Sequence, residues 1–210
     1  ELVGNKRRFL MSEGSGRNTI LGKIRSIDPD ITKDSKETEA IIQLIKELEH
    51  QGYQFEAAES TFELIIRKQL GKYKPFFDLE KFKLIIEQPN LSGNSASALI
   101  KVTVDGRSEI TASEGNGPVH ALDRALRKAL EVFYPELSRV HLTDFKVRVI
   151  DSNKATAAKV RVLIESTDGE SVWTTVGVST DVIEASWIAL VDSIEYKLLK
   201  DIEGKIYDRK

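Results

Sequence analysis

Gly115-Asn116-Gly117-Pro118 is the segment of this chain best placed to do chemistry. It breaks an alternating β-pattern and opens a helical one, and free amides at a helix start attract a carboxylate or a phosphate. The alternative is a tight turn in which glycine supplies positive φ. Val119 and His120 follow in the first helical turn. Further along, a comparable position reads Val178-Ser179-Thr180-Asp181, where Thr180 or Asp181 can cap a helix. The two places differ where a small anion would bind: one offers amides, the other polar side chains.

Other residues carry weaker chemistry. Gly14-Ser15-Gly16-Arg17 lacks the lysine and the spacing of a phosphate-binding loop and reads as a docking segment. The three histidines, His50, His120 and His141, show no metal-ligand spacing. No GxSxG elbow supports a serine nucleophile. Glu37 and Glu39 read as a solvated helix face. Trp173 and Trp187 read as core or interface, because the charge around them is not basic enough for base stacking.

The elements that must hold the turn form a repeat. Phe82, Leu84 and Ile86 alternate with charged residues as a half-buried strand does. Ala98, Ile100, Val102 and Val104 form a second alternating run, Asp105-Gly106 is a two-residue hairpin signal, and Arg107 to Ser113 is a third strand. Pro118 suits a first helical turn, and Val119, Leu122, Leu126, Ala129, Leu130 and Phe133 form that helix's apolar face. A second copy follows. Phe145 matches Phe82 at a spacing of 63, Val160 matches Ala98 at 62 and Gly169 matches Gly106 at 63. On that alignment the second hairpin is one residue longer and the loop before it one shorter. The last helix, from about Asp181, carries Ile183, Trp187, Leu190, Ile194 and Leu198 on one stripe and Val182, Ala185 and Ala189 on another. Burial on two sides points to another subunit.

The expected fold is α+β: two βββα units, about 79–138 and 142–200 within a domain spanning 79–210, forming a two-layer pseudo-symmetric module. Residues 34–74 read as a helical hairpin before it. Asp34 and Glu37 have capping-box spacing, Gly52 and Gly71 are stops, and the second helix begins near Glu56. Residues 1–33 read as an extended linker with little core, anchored by Ile20, Ile24 and Ile27.

Bulk properties set limits. The chain has 210 residues and a formal net charge of -2, which gives no reason to expect nucleic acid as a partner. It has no cysteine, so no disulfide, thiolate zinc site or cysteine nucleophile. No apolar run approaches the ~18 residues of a membrane span. It opens on Glu1 and its only methionine is Met11, so it reads as excised from a longer protein.

Four segments together resemble one family. Val3-Gly4-Asn5, then Phe9 through Ser12-Glu13 to Ser15-Gly16-Arg17, resembles the linker after the catalytic barrel of 2-isopropylmalate and citramalate synthases. Glu47 to Ser60 resembles their helical subdomain, Ser113 to Ala121 the glycine-rich turn of their regulatory domain, and Val176 to Ser179 with Asp181 to Trp187 its second half. The citramalate branch is the nearer. The resemblance implies a cytoplasmic transferase of branched-chain amino-acid biosynthesis that condenses acetyl-CoA with a 2-keto acid. Its divalent metal and catalytic residues would lie in a barrel whose HxH signature is absent here, so this chain would bring no cofactor and no catalytic residue of its own. It implies a homodimer that binds isoleucine or leucine as feedback inhibitor, the alternative being an assembly module without effector. In that setting Gly115, Asn116, Gly117 and Pro118 would supply amides and Asp181 an ammonium acceptor. Val119, Val182 and Ile183 would supply apolar wall, with His120, Ser179 and Thr180 completing the site. His120 is the departure, since relatives often carry an acidic residue there.

Overall fold

The computed structural model describes residues 13–88, 93, 95–150 and 157–207. The family-like segment from Val3 to Ser12 lies outside them. The chain begins with helices α1 (Glu13–Ile27) and α2 (Lys36–Gln51), a short 3-10 helix (Phe55–Ala57) and α3 (Glu59–Gln69). Ile20 and Ile24 of α1 are buried with Ile41, Ile45, Phe62 and Ile66 in one small core. The expectation of an extended first segment is therefore corrected. The apolar side chains at 20, 24 and 27 share one helical face, which burial stabilises despite the low propensity of Gly14, Gly16 and Gly22.

The caps also differ from expectation. Ser35, not Asp34, caps α2: its Oγ accepts the Thr38 amide at 3.1 Å, and the Thr38 hydroxyl donates to the Thr32 carbonyl at 2.8 Å. Gly52 ends α2 at φ 113, with Tyr53 N–H donating to the Leu48 carbonyl at 3.0 Å. The helix expected near Glu56 starts at Glu59, because the intervening 3-10 turn tucks Phe55 against Phe62, with ring centroids 5.5 Å apart.

Two βββα units follow. The first is β1 (Asp78–Ile86), β2 (Ala96–Val104), β3 (Arg107–Gly115) and α4 (Pro118–Leu130). The second is β4 (His141–Val149), β5 (Val160–Thr167), β6 (Val172–Ser179) and α5 (Val182–Tyr207). Each sheet is antiparallel in chain order. The helix of each unit lies over its second and third strands, and both units share one core. Ala98, Ile100, Val102 and Val104 point into it, as their alternation requires. Trp173 Nε1 of β6 donates to Ser193 Oγ of α5 at 2.9 Å, so the indole is buried with its donor satisfied.

Strand pairing corrects the alignment of the copies. Phe82 pairs with Ile100 as Phe145 pairs with Ile164, so the first strands are offset by 63 and the second by 64. The helices starting at Pro118 and Val182 keep the offset of 64. The hairpins are thus equal, and the additional residue of the second copy lies between its first two strands. Asp105 and Gly106 both have positive φ, 46 and 78, as a type I′ turn needs. In the second copy Gly169 (φ 91) and Glu170 occupy the turn. Asp168 stands before it, accepting the Ser171 amide at 2.8 Å and pairing with Lys197 at 2.8 Å. The shared Asp-Gly dipeptide hid this shift. The true counterpart of Gly115–Pro118 is Ser179–Val182, not Val178–Asp181.

The helical part docks on the second unit. Glu63 of α3 is buried and meets Lys23 of α1 at 2.7 Å, Arg67 at 2.8 Å and Lys200 of α5 at 2.6 Å. Burial alone would raise its pKa, but Lys200 and Lys23 outweigh it and hold the carboxyl at about 2. Arg161 of β5 donates to the Gly52 carbonyl at 2.6 Å, and the Val176 amide to Thr61 Oγ1 at 3.0 Å. Of the second stripe of α5, expected to meet another subunit, Ala185 and Ala189 are buried in the shared βββα core and Val182 is exposed, while α3 meets the helix at Asp192, Lys200 and Glu203.

Glycines at both strand ends set how closely each helix approaches. A Cβ on Gly115 would lie 2.5 Å from Ala121 N, and one on Gly177 2.0 Å from the Ala185 carbonyl oxygen. Gly117, by contrast, has extended backbone (φ -170) and open space around it. The positive-φ reading of this turn is therefore corrected.

Glu63→Gln should lower stability by about 2 kcal/mol, less than a fully buried pair because its cations are partly solvated. Its folded pKa is depressed from 4.5, so its contribution is present above pH 4.5 and lost as pH falls towards about 2. Urea titrations at pH 7 and pH 3 check this, and the variant's deficit should shrink at pH 3. Gly115→Val should cost more than about 3 kcal/mol through overpacking, while Gly117→Val costs under about 1. Thermal melts of the two variants test the contrast.

Candidate functional site

Each strand-to-helix turn satisfies its amides differently. In the first, Gly117 is the N-cap of α4 and gives no side-chain cap, while Pro118 fills the first turn. His120 Nδ1 accepts the Asn116 amide at 3.2 Å, and the Ser95 hydroxyl donates to the Asn116 carbonyl at 2.7 Å. The amides of Val119 and His120 thus open α4 without a capping side chain. In the second, Asp181 Oδ1 accepts the Ile183 amide at 2.7 Å and Ser179 Oγ accepts the Asp181 amide at 3.1 Å. The Ser179 hydroxyl also donates to Glu184. Thr180 and Val182 are exposed, and Ile183 packs on the core.

Val119 and His120 line a groove of about 430 Å³ between α4 and β4. Asp123 and Arg127 of α4 and His141, Leu142 and Phe145 of β4 complete it. The structure therefore joins Val119 and His120 of the expected site to β4, while Gly115, Asn116, Gly117 and Pro118 do not line the groove. Ser179, Thr180, Asp181, Val182 and Ile183 do not line this groove, and the Asp181 carboxylate is engaged in capping α5.

The groove arises from a break in the internal symmetry. Phe82 on β1 is covered by Trp187 of α5, with ring centroids 5.2 Å apart. Its counterpart on β4 is Phe145, and the counterpart of Trp187 on α4 is Asp123. A carboxylate cannot cover a phenyl ring, so Phe145 remains 40% exposed. Val147 and Val149 continue a bare apolar strip along β4. These three, with Ile86, correct the expectation of half-buried first strands: they point to the helix-facing side but lie beyond the helix's reach.

Asp123 is itself buried and held by Arg127, through Nε at 3.0 Å and Nη2 at 2.5 Å. The remaining Arg127 fork donates to the Val140 carbonyl at 2.8 Å. The groove thus combines uncapped helix amides, a fixed ion pair and an apolar floor. The sequence does not mark Asp123, Arg127 and Leu142, and it shows Phe145 only as a strand residue of the repeat. Comparison of the two helices at the offset of 64 would have exposed the Asp123–Trp187 difference. Among the described residues no group of His, Asp and Glu is disposed to hold a metal ion, and no helix is long and apolar enough to cross a membrane.

Comparison with known proteins bears on what such a chain belongs to. Residues 56–198 match the family described as the LeuA allosteric (dimerisation) domain. The (R)-citramalate synthase of Aquifex aeolicus is 52% identical over 98% of this chain and 39% of its own length. That of Geobacter sulfurreducens is 52% identical over 97% of the chain and 39% of its own length. A probable 2-isopropylmalate synthase of Methanopyrus kandleri is 29% identical over 92% of the chain and 37% of its own length. The chain therefore spans about two fifths of the length of the curated relatives it matches. The duplicated βββα architecture, the match over both units and these identities together place this chain in the LeuA allosteric (dimerisation) domain family, as found in citramalate and 2-isopropylmalate synthases.

Proposed function

We propose that this chain is the regulatory and dimer-forming part of a cytoplasmic synthase that condenses acetyl-CoA with a 2-keto acid, with pyruvate and hence citramalate as the favoured substrate and product. Its relatives' names support the reaction class, and the chain's partial span of those relatives supports a regulatory share of the whole. The effector is a branched-chain amino acid, isoleucine or leucine. The observation that carries this reading is the groove between α4 and β4. The effector's carboxylate meets the amides of Val119 and His120, and its ammonium meets Asp123. Its hydrocarbon side chain rests on Leu142 and Phe145. Gly117 keeps the approach to the amides open, because it has no side chain to cover them.

A second copy of the chain covers the strip formed by Phe145, Val147 and Val149. Closed two-fold dimers are the commonest way to bury such a face. An effector bound beside that strip favours one dimer geometry over another, which is all a population shift requires. The helical part, anchored on the second unit, then carries the change onward.

Calorimetry of the 210-residue chain with isoleucine, leucine and valine tests the effector. One of the three should bind, and Gly117→Val or Phe145→Arg should weaken it at least about tenfold, the loss of a good contact. No heat and no thermal shift at millimolar levels would leave only an assembly role. Light scattering should give twice the chain mass of 23.6 kDa, and Val147→Asp with Val149→Asp should halve it.

A further inference from the structure

The segment joining α3 to β1 is held by α5 in an unusual way. Phe76 N–H donates to both carboxylate oxygens of Glu195, at 3.1 and 3.2 Å. The Phe76 carbonyl accepts the Tyr134 hydroxyl at 2.7 Å, and the two rings meet edge to face at 6.2 Å. Tyr73 of the same segment also contacts Glu195. One turn earlier on α5, Asp192 meets Lys68 of α3 at 3.4 Å and the Thr61 hydroxyl. Glu195 is 1% exposed and Asp192 7% exposed. The cation facing them, Lys68, keeps 43% of its side chain in solvent and lies 4.9 Å over the Tyr73 ring. Two buried acids therefore share one partly solvated cation, with Tyr53, Tyr73 and Tyr134 as the other titratable neighbours.

We propose that this seam is a proton-controlled latch: the Asp192–Glu195 pair holds one proton when the joining segment is docked on α5, and loss of that proton releases the segment. The charge count argues for it. With both acids ionised, the seam buries one more negative charge than Lys68 offsets. Burial raises Glu195 to about 7; the Phe76 amide, Tyr73 and Lys68 oppose the rise, and Asp192 adds to it. Asp192 is raised as well, by burial, against Lys68 and Thr61. The two acids titrate as a pair. A released Glu195 would titrate near its ordinary 4.5, so between that value and about 7 docking takes up a proton. Docking is therefore favoured at lower pH and weakens as pH rises through the neutral range. The latch lies in the connection between the helical part and the βββα units, and it does not depend on which ligand the groove takes.

Amide exchange on the 210-residue protein tests the latch, with each rate taken relative to an unfolded peptide at the same pH. Protection of residues 72–77 should fall about tenfold per pH unit above neutrality, the slope for one proton, while that of Ile41–Ile45 stays flat. Glu195→Gln should remove the slope, and Asp192→Asn should move its onset to lower pH. Carbon-detected titration of the unmutated Glu195 carboxyl should show a midpoint near neutrality. A midpoint below 5, or wild-type protection of residues 72–77 constant from pH 6 to 8.5, would overturn the proposal.

Discussion

A helix is about 10 Å across, and neighbouring strands are about 4.8 Å apart. One helix therefore covers two strands of a sheet and leaves a third bare. Each βββα unit meets this limit in the same way: α4 lies on β2 and β3, α5 on β5 and β6. The first strand of each sheet must find cover elsewhere. In the first unit it comes from Trp187, sent across by the other unit's helix. In the second unit the equivalent position is Asp123, and the strand stays bare along Phe145, Val147 and Val149. The groove, the exposed strip and the two-unit core all follow from this shortfall in width.

The charges are distributed unevenly. The shared core of the βββα units is apolar apart from hydroxyls and an indole whose hydrogen bonds are made internally. Glu63, Asp192 and Glu195 gather where α3 and the joining segment meet α5, while Lys197 pairs with Asp168 and Asp201 inside the second unit and Asp123 with Arg127 beside the groove. Burying ions is a poor way to gain stability but a good way to specify one arrangement. Glu63 can accept from three cations only when α1, α3 and α5 are placed as they are. The apolar core holds each half together, and the ions fix how the halves sit.

Much of this was legible in the sequence, and the limits have physical causes. The alternation of β2, the turn at Asp105-Gly106 and the stripe of α4 are local patterns that burial enforces, so the α+β duplication could be read directly. The helix α1 was hidden because its glycines argue for coil, while its three isoleucines matter only once a tertiary core exists to receive them. The copies were misaligned because Asp168-Gly169 matches Asp105-Gly106 in letters but not in role: Asp168 is a side-chain acceptor and Lys197 partner there, not a turn residue. Asp192 and Glu195 are invisible in the sequence because an acid on a long helix normally faces water, and only the fold shows that α3 meets the first and the joining segment the second. At the candidate site, Val119 and His120 followed from the turn. Asp123, Arg127 and Phe145 depended on which helix crosses to which sheet, a relation between residues distant in the chain.

The bulge on the first strand occurs at the same place in both copies, between Leu79 and Lys81 and between Leu142 and Asp144. Backbone irregularity has thus been kept through the duplication, while the side chain that crosses between units has not. Two identical copies would carry either two covered first strands or two bare ones, and so either no groove or a matched pair. A single groove is available only to a chain whose halves have diverged at that crossing residue. The inequality of Trp187 and Asp123 therefore gives an otherwise repeated module a front and a back.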